Sequence, residues 1–196
     1  MLGMKGGTGK STVAIHLAVA ASQAKRRVML LDTDPQATAV RWTRQRQAPE
    51  PTVTGAAAYD AAKHMANGTH DLIVVDTAPR AEADISRLAA MADLIVIPLH
   101  CTMPDLDASE VAFQMAETAG RPFVVVFNAV NPRGLEVAEV REALSGQGYT
   151  IAPTMLAHRT SFARALSSGL AVTEFEQEGK AAEEITNLWK WIAKQL

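Results

Sequence analysis

Eight consecutive residues near the start of the chain, Lys5-Gly6-Gly7-Thr8-Gly9-Lys10-Ser11-Thr12, combine the residue types needed to hold a polyphosphate. Three glycines in four positions let the backbone turn with positive φ and bring its N–H groups close to anionic oxygens, because no Cβ intervenes. The apolar stretch after Ser11 reads as a helix, and its N-terminus adds the positive end of a dipole at the same place. In such a setting Lys10 can reach the β- and γ-phosphates of a nucleotide, and the Ser11 hydroxyl is placed to ligate Mg²⁺. Three carboxylates stand at the ends of apolar runs. Asp32 and Asp34 follow Val28-Met29-Leu30-Leu31, and Asp76 closes Leu72-Ile73-Val74-Val75. Ligands of open α/β sheets collect at the C-terminal ends of strands, so Asp32 and Asp34 would face the phosphates, and a carboxylate ending a rigid strand, as Asp76 does, can reach a metal or its water. Asn128 ends the run Phe123-Val124-Val125-Val126-Phe127 with an amide suited to an adenine edge, a turn or cap role being the competitor.

Strands must hold these groups and helices must cover the strands. Short continuous apolar runs at 28–31, 72–75, 94–98 and 123–127, with weaker ones at 52–54 and 149–152, alternate with helical stretches at 13–24, 37–47, 56–67, 106–118, 135–144 and 180–196. That alternation predicts an α/β fold, a doubly wound, mainly parallel sheet with helices on both faces and one nucleotide site. A phosphate loop of this kind is fed by a buried strand of about five or six residues. Only Met1 and Leu2 precede Gly3, so the first strand is expected to be truncated, an expectation that a complete strand leading into the loop would overturn.

With 196 residues, 48% of them hydrophobic and 20% charged, the chain is expected to form a single domain over 1–196. A single cysteine, Cys101, forms no internal disulfide, and no leader pattern or bilayer-length apolar run is present, which predicts a soluble cytoplasmic protein with no membrane partner. A net charge of −2 leaves any nucleic-acid contact to a local patch. Arg41, Arg44 and Arg46 on one helix, and Arg159, Arg164, Lys180, Lys190 and Lys194 near the end, are candidates for such a patch or for ordinary solvated charge. His16 reads as a core histidine, and His100-Cys101 lacks the second pair a zinc site needs and the base a nucleophile needs. In the last helix Ile185, Leu188, Ile192 and Leu196 fall at helical spacing behind Glu183 and Glu184, the wrong sign for anionic lipid, so the helix is expected to pack on the core.

The general P-loop pattern G-x-x-x-x-G-K-[ST] is not quite met, since Met4 takes the first glycine position and Lys5 follows it. The string K-G-G-x-G-K-[ST] resembles the deviant P-loop of the ParA/MinD family of ATPases. Asp32-Thr33-Asp34-Pro35-Gln36 resembles that family's first switch and Asp76-Thr77-Ala78-Pro79 its second. The stretch from His158 to Ala165, followed by Gly169-Leu170-Ala171-Val172, is similar to the family's C-terminal segment, which extends the resemblance over nearly the whole chain. The resemblance implies ATP and Mg²⁺ as ligands, held by Gly6, Gly7, Thr8, Gly9, Lys10, Ser11, Thr12 and Asn128, with Ser11, Asp32 and Asp76 around the metal. It implies catalytic roles for Lys5, Lys10 and Asp34: Lys5 reaching a partner's ATP across a sandwich dimer, and Asp34 orienting the attacking water. Backbone groups of Thr77 and Ala78 would sense the γ-phosphate. The activity implied is slow, partner-stimulated ATP hydrolysis in an ATP-dependent homodimer that binds DNA non-specifically on the nucleoid and works with a centromere-binding, ParB-like partner to segregate a plasmid or chromosome. MinD-like or cargo-positioning ATPases share these motifs, and a dethiobiotin synthetase-like ligase is the rival from another class.

Overall fold

The computed structural model describes residues 1–66, 68–79 and 83–196. Strands β1 (Val28–Asp32), β2 (Thr52–Gly55), β3 (Leu72–Asp76), β4 (Ile95–Leu99), β5 (Phe123–Val130) and β6 (Leu156–Ala157) are joined by α1 (Lys10–Gln23), α2 (Thr38–Trp42), α3 (Ala58–Met65), α4 (Ala83–Met91), α5 (Met103–Thr118) and α6 (Leu135–Gly146). Helices α7 (Thr160–Ser167), α8 (Val172–Phe175) and α9 (Lys180–Ile192) complete the chain. Every strand pair is parallel, in two groups of order β2-β1-β3 and β4-β5-β6. Met1 and Leu2 lie between the groups: the Met1 amino group donates to the Val75 carbonyl at 2.6 Å, and the Leu2 N–H donates to the Val96 carbonyl at 2.9 Å. Among the described residues, no complete strand leads into the glycine loop.

Successive residues of β1 and β5 point to opposite faces, which is why both strands read as unbroken apolar runs. Val28, Leu30, Val124 and Val126 pack with α1 and α9 in one core, while Met29, Leu31, Val125 and Phe127 pack with α4, α5 and α6 in the other. Helix α1 is apolar nearly all round and buried from Val13 to Ala21, so it lies inside the molecule with the glycine loop fixed at its N-terminus. The last helix packs as expected: Ile185, Leu188, Trp189 and Ile192 are buried in the first core. No helix among the described residues is long and apolar enough to cross a membrane.

Three expectations need correction. The run at 149–152 forms only a single bridge, Val125 with Ile151. Pro153 cannot donate to a ladder, and β5 pairs again only at Leu156–Ala157, across a bulge where Ala129 takes φ 52°. The helix expected over 37–47 is α2 followed by a 3₁₀ turn, Thr43–Gln45. Helix α5 begins three residues before the expected start, because Thr102 caps it and Pro104 sits in its first turn. The stretch 56–67 ends at Asn67, which lies outside the described residues, with α3 covering Ala58–Met65.

Candidate nucleotide site

The loop meets α1 at Gly9, which holds the N-cap position at φ 87° with no side chain closing the helix end and no acidic residue in the first turn. The helix therefore presents open N–H groups, the condition for receiving an anion. Gly7 is also left-handed at φ 85°, and a Cβ at Gly6 or Gly7 would meet nothing within 4 Å, so these two line open space. A Cβ on Gly9 would fall 2.1 Å from Asn128 Nδ2. Thr8 is buried and Thr12 is half-buried in the first turn of α1.

Asn128, read as an adenine contact, is placed under the loop, where its Nδ2 donates to the Thr8 carbonyl at 2.8 Å. This bond, made from the end of β5 to a residue 120 positions away, gives the glycine turn its support. Lys10 is only 6% exposed and its Nζ donates to the Lys5 carbonyl at 3.3 Å. Burial draws the Lys10 pKa down, with Asp76 and Asp34 pulling it back.

The carboxylates fall into different roles. Asp32 is buried, with one oxygen accepting the Asp34 N–H at 3.2 Å and the other accepting the N–H groups of Ala39 at 2.9 Å and Val40 at 3.1 Å. It thus ties the loop after β1 to the start of α2, and burial raises its pKa against those bonds. Asp34 is half-buried and accepts the Gln36 N–H at 2.8 Å, a local turn that fixes its side chain near the end of β1. Asp76 is fully buried, and neither of its oxygens is engaged in a hydrogen bond of normal geometry. Burial pushes its carboxyl up to about 6, against the opposing pull of the Ser11 hydroxyl, the Met1 ammonium and Lys10. The ends of β1 and β3 are locked together by Thr33, whose N–H and hydroxyl both donate to the Asp76 carbonyl, at 2.9 and 2.8 Å.

The residues present fit a cation with a polyphosphate. Two unpartnered buried carboxylate oxygens stand close to the Ser11 hydroxyl and Lys10 beside an uncapped helix N-terminus. Mg²⁺ takes few protein ligands and completes its shell with phosphate oxygens and water, so a serine and one carboxylate suffice. Ser11 and Asp76 would hold it. Asp32, expected in the same shell, accepts backbone N–H groups on both oxygens, which fixes its carboxylate beside the end of β1.

Lys5 lies on the loop's outer surface, its side chain 48% exposed, and its ammonium pairs with Asp105 of the same chain. Asp105 also accepts the Thr102 hydroxyl at 2.6 Å, and these two bonds hold its carboxyl below the ordinary range although burial pushes the other way. Sequence reading missed Asp105. The available signal was Thr102-Met103-Pro104-Asp105, a capping threonine with an acidic residue three positions on.

The remaining candidates are structural. The Cys101 thiol is buried and pushed up to about 12, so it stays protonated. His16 is buried, accepts the Val172 N–H on Nδ1 at 3.2 Å and stands edge-on to Phe162, with burial drawing its pKa down to about 3. Arg46 leaves the expected basic face, since it pairs with Glu174 at 2.9 Å and stacks over Trp42. Arg159 is likewise taken by Glu184 at 2.6 Å, whereas Arg41 and Arg44 are exposed.

Known proteins resemble this arrangement over its whole length. The maintenance of carboxysome distribution protein A of Gloeobacter kilaueensis is 30% identical over 208 residues, covering 100% of this chain and 92% of that protein. Protein ParA of Rhizobium radiobacter is 26% identical over 196 residues, covering 93% and 88%. The fold matches the septum site-determining protein MinD of Pyrococcus horikoshii, solved with Mg-ADP, at a TM-score of 0.80 with 14% identity, over 98% of this chain and 94% of that one. Residues 1–172 match the family described as the CobQ/CobB/MinD/ParA nucleotide binding domain, so by extent of sequence as well as by fold the chain belongs to the ParA/MinD family of P-loop ATPases.

Proposed function

We propose that the chain is a ParA-type ATPase that binds ATP with Mg²⁺ in the glycine loop, closes into a sandwich dimer around it, and in that state binds DNA without reading sequence. The observation that carries the reading is Asp76, a fully buried carboxylate whose oxygens lack protein partners, next to Ser11 and Lys10 at an open helix N-terminus. Ser11 and Asp76 would hold the cation, which would supply positive charge against the nucleotide's phosphates. Lys10, released from the Lys5 carbonyl, would turn toward the same phosphates, and the loop N–H groups would hold the oxygens. Asp34, carried on the turn after β1, is the carboxylate assigned to orient the attacking water. Asn128 and Asp32 would keep the loop and the first switch in place.

In this reading Lys5 exchanges Asp105 for the nucleotide of a second protomer. The geometry supports that exchange because the lysine is half-exposed and held by one carboxylate. DNA contact would draw on exposed arginines such as Arg41 and Arg44, since Arg46 and Arg159 are engaged internally. A centromere-binding partner that stimulates hydrolysis would release the dimer and move a plasmid or chromosome. A second reading, positioning of a protein-bound cargo rather than a replicon, is favoured by the 30% identity to a carboxysome distribution protein along the full chain.

Molar mass by light scattering with ADP and with a slowly hydrolysed ATP analogue tests the switch, and DNA titration at several salt concentrations tests the surface. Doubling of mass with the analogue alone, with salt-sensitive DNA binding only in that state, is expected. An unchanged mass with both nucleotides overturns the dimer, and DNA binding that ignores nucleotide overturns the gating.

A further inference from the structure

Asp34 rides on a segment that its own backbone cannot hold in place. Helix α2 is five residues long, too short to persist without outside support, and a 3₁₀ turn of three residues follows it. Ahead of it Ala37 takes the left-handed φ of 50°, a conformation an alanine keeps only where the surrounding structure pins the chain. The near pin is Asp32, whose carboxylate accepts the N–H groups of Asp34, Ala39 and Val40.

The far pin lies near the other end of the chain, where α7 turns into α8. Arg46, its side chain only 4% exposed, grips Glu174 with two bonds of 2.9 Å, one to each carboxylate oxygen. Its Nη1 also donates to the Gly169 carbonyl at 3.1 Å, and Nε and Nη2 both donate to the Glu50 carbonyl. The guanidinium lies over the buried Trp42 ring at 4.6 Å, and Trp42 Nε1 donates to the Leu170 carbonyl at 3.3 Å. Glu174 completes the joint by accepting the Ala171 N–H at 2.8 Å. The two backbones touch as well: Gly169 stands at φ 70°, and a Cβ there would fall 2.4 Å from the Gln45 carbonyl carbon. A bidentate guanidinium–carboxylate pair admits few geometries, so this joint fixes where α2 sits.

The start of α8 is bonded to the phosphate-loop helix too, through the Val172 N–H, which donates to His16 Nδ1 at 3.2 Å. One buried turn therefore holds both α1, with Lys10 and Ser11 at its start, and α2, with Asp34 just ahead of it. We propose that Arg46 and Glu174 are positioning residues for ATP hydrolysis: their fork sets α2 against the α7–α8 turn, and so sets Asp34 against the phosphates at α1. The inference rests on the proposed role of Asp34 in orienting the attacking water. Both residues act through α2 and neither belongs to the glycine loop, so their loss should lower turnover and spare nucleotide binding.

Two variants test the joint without emptying it. Glu174→Gln keeps the shape but sets an amide donor against Arg46 or the Ala171 N–H, and Arg46→Lys keeps the charge but loses the fork. Glu184→Gln, which breaks the Arg159 pair instead, is the comparison. Amide exchange at Ala39 and Val40 is read in the nucleotide-free protein relative to Leu30 of β1, alongside ADP affinity and steady-state ATP turnover. In both joint variants exchange at Ala39 and Val40 should quicken about ten-fold and kcat should fall about ten-fold, with ADP affinity kept within about two-fold. Glu184→Gln should leave all three within about two-fold of wild type. Exchange at Ala39 and Val40 that does not quicken relative to Leu30 overturns the proposal whatever the activity does. Faster exchange with unchanged kcat overturns the role in hydrolysis, and so does a kcat loss that Glu184→Gln matches. A loss of ADP affinity equal to the loss of kcat refutes positioning, because the joint would then serve binding. Wild-type protein that turns over no ATP would sink the role of Asp34 separately, and the exchange measurement would still decide whether the pair holds α2.

Discussion

Gly9→Ala should be the most damaging glycine substitution in the phosphate loop, and its cost can be worked from two features. Gly9 holds φ 87°, where an alanine Cβ costs roughly 1–2 kcal/mol. The new Cβ would also fall 2.1 Å from Asn128 Nδ2, forcing that amide off the Thr8 carbonyl it binds at 2.8 Å. Leaving a buried acceptor and amide unpaired adds about 1–3 kcal/mol, for a total of about 2–5 kcal/mol. Gly7→Ala shares the backbone strain at φ 85° but meets nothing within 4 Å, so it should cost only about 1–2 kcal/mol. Urea unfolding of the nucleotide-free protein measures both, and an Asn128→Ala background completes the cycle. There the Cβ of Gly9→Ala has no amide to displace, and its cost should fall to the strain alone, a coupling of about 1–3 kcal/mol. If Gly9→Ala costs no more than Gly7→Ala, or if the Gly9 and Asn128 changes simply add, Asn128 is not the support of the loop.

Three further outcomes follow from the buried charges and the Lys5 pair. Asp76 holds its carboxyl at about 6 against 3.8 in the unfolded chain, so the folded state is penalised above pH 6 and not below the unfolded value. Asp76→Asn should therefore stabilise the nucleotide-free protein by roughly 1–3 kcal/mol at pH 8, gain nothing at pH 3.5 and lose nucleotide binding; an unchanged urea midpoint at pH 8 refutes the unpaired charge. His16 stays neutral in the fold down to about pH 3 while the unfolded chain takes up a proton below about 6.5. Stability is thus complete above pH 6.5 and falls by about 1.4 kcal/mol per pH unit as acid is added, a slope that His16→Met should remove when urea midpoints are compared from pH 7 to 5. In the proposed dimer, Asp105→Asn frees Lys5 from a half-exposed pair of about 0.5–1 kcal/mol, so the ATP analogue should drive dimerisation at a concentration about two- to five-fold lower. No shift in light scattering would remove Asp105 as a brake.

What the sequence made legible was chemistry carried by contiguous residues. Lys5 to Thr12 needs no partner elsewhere to declare a phosphate loop, and the runs ending in Asp32 and Asp76 declare strands covered on both faces because every residue in them is apolar. Contacts made by distant segments left no local pattern. Asn128 meets Thr8 across 120 positions, Lys5 meets Asp105 across 100, and Arg46 meets Glu174 across 128, so the sequence could assign Asn128 to a base, Lys5 only to a partner and Arg46 to a surface. Helix α4 went unread although Ile85, Leu88 and Ala89 stand at i, i+3 and i+4, because nine residues carry too few turns for the period to stand out.

The places where local rules fail in the fold nevertheless converge. A left-handed glycine without a helix cap at Gly9, a buried lysine at Lys10 and a buried carboxylate at Asp76 each cost stability separately, and the protein around them offsets the two charges only in part. Three unrelated defects scattered by chance would not meet at one helix end. An anion with its cation is the one ligand class that would satisfy the open N–H groups, the ammonium and the carboxylate together, which is why the conflict among them argues for the site more strongly than the motif does.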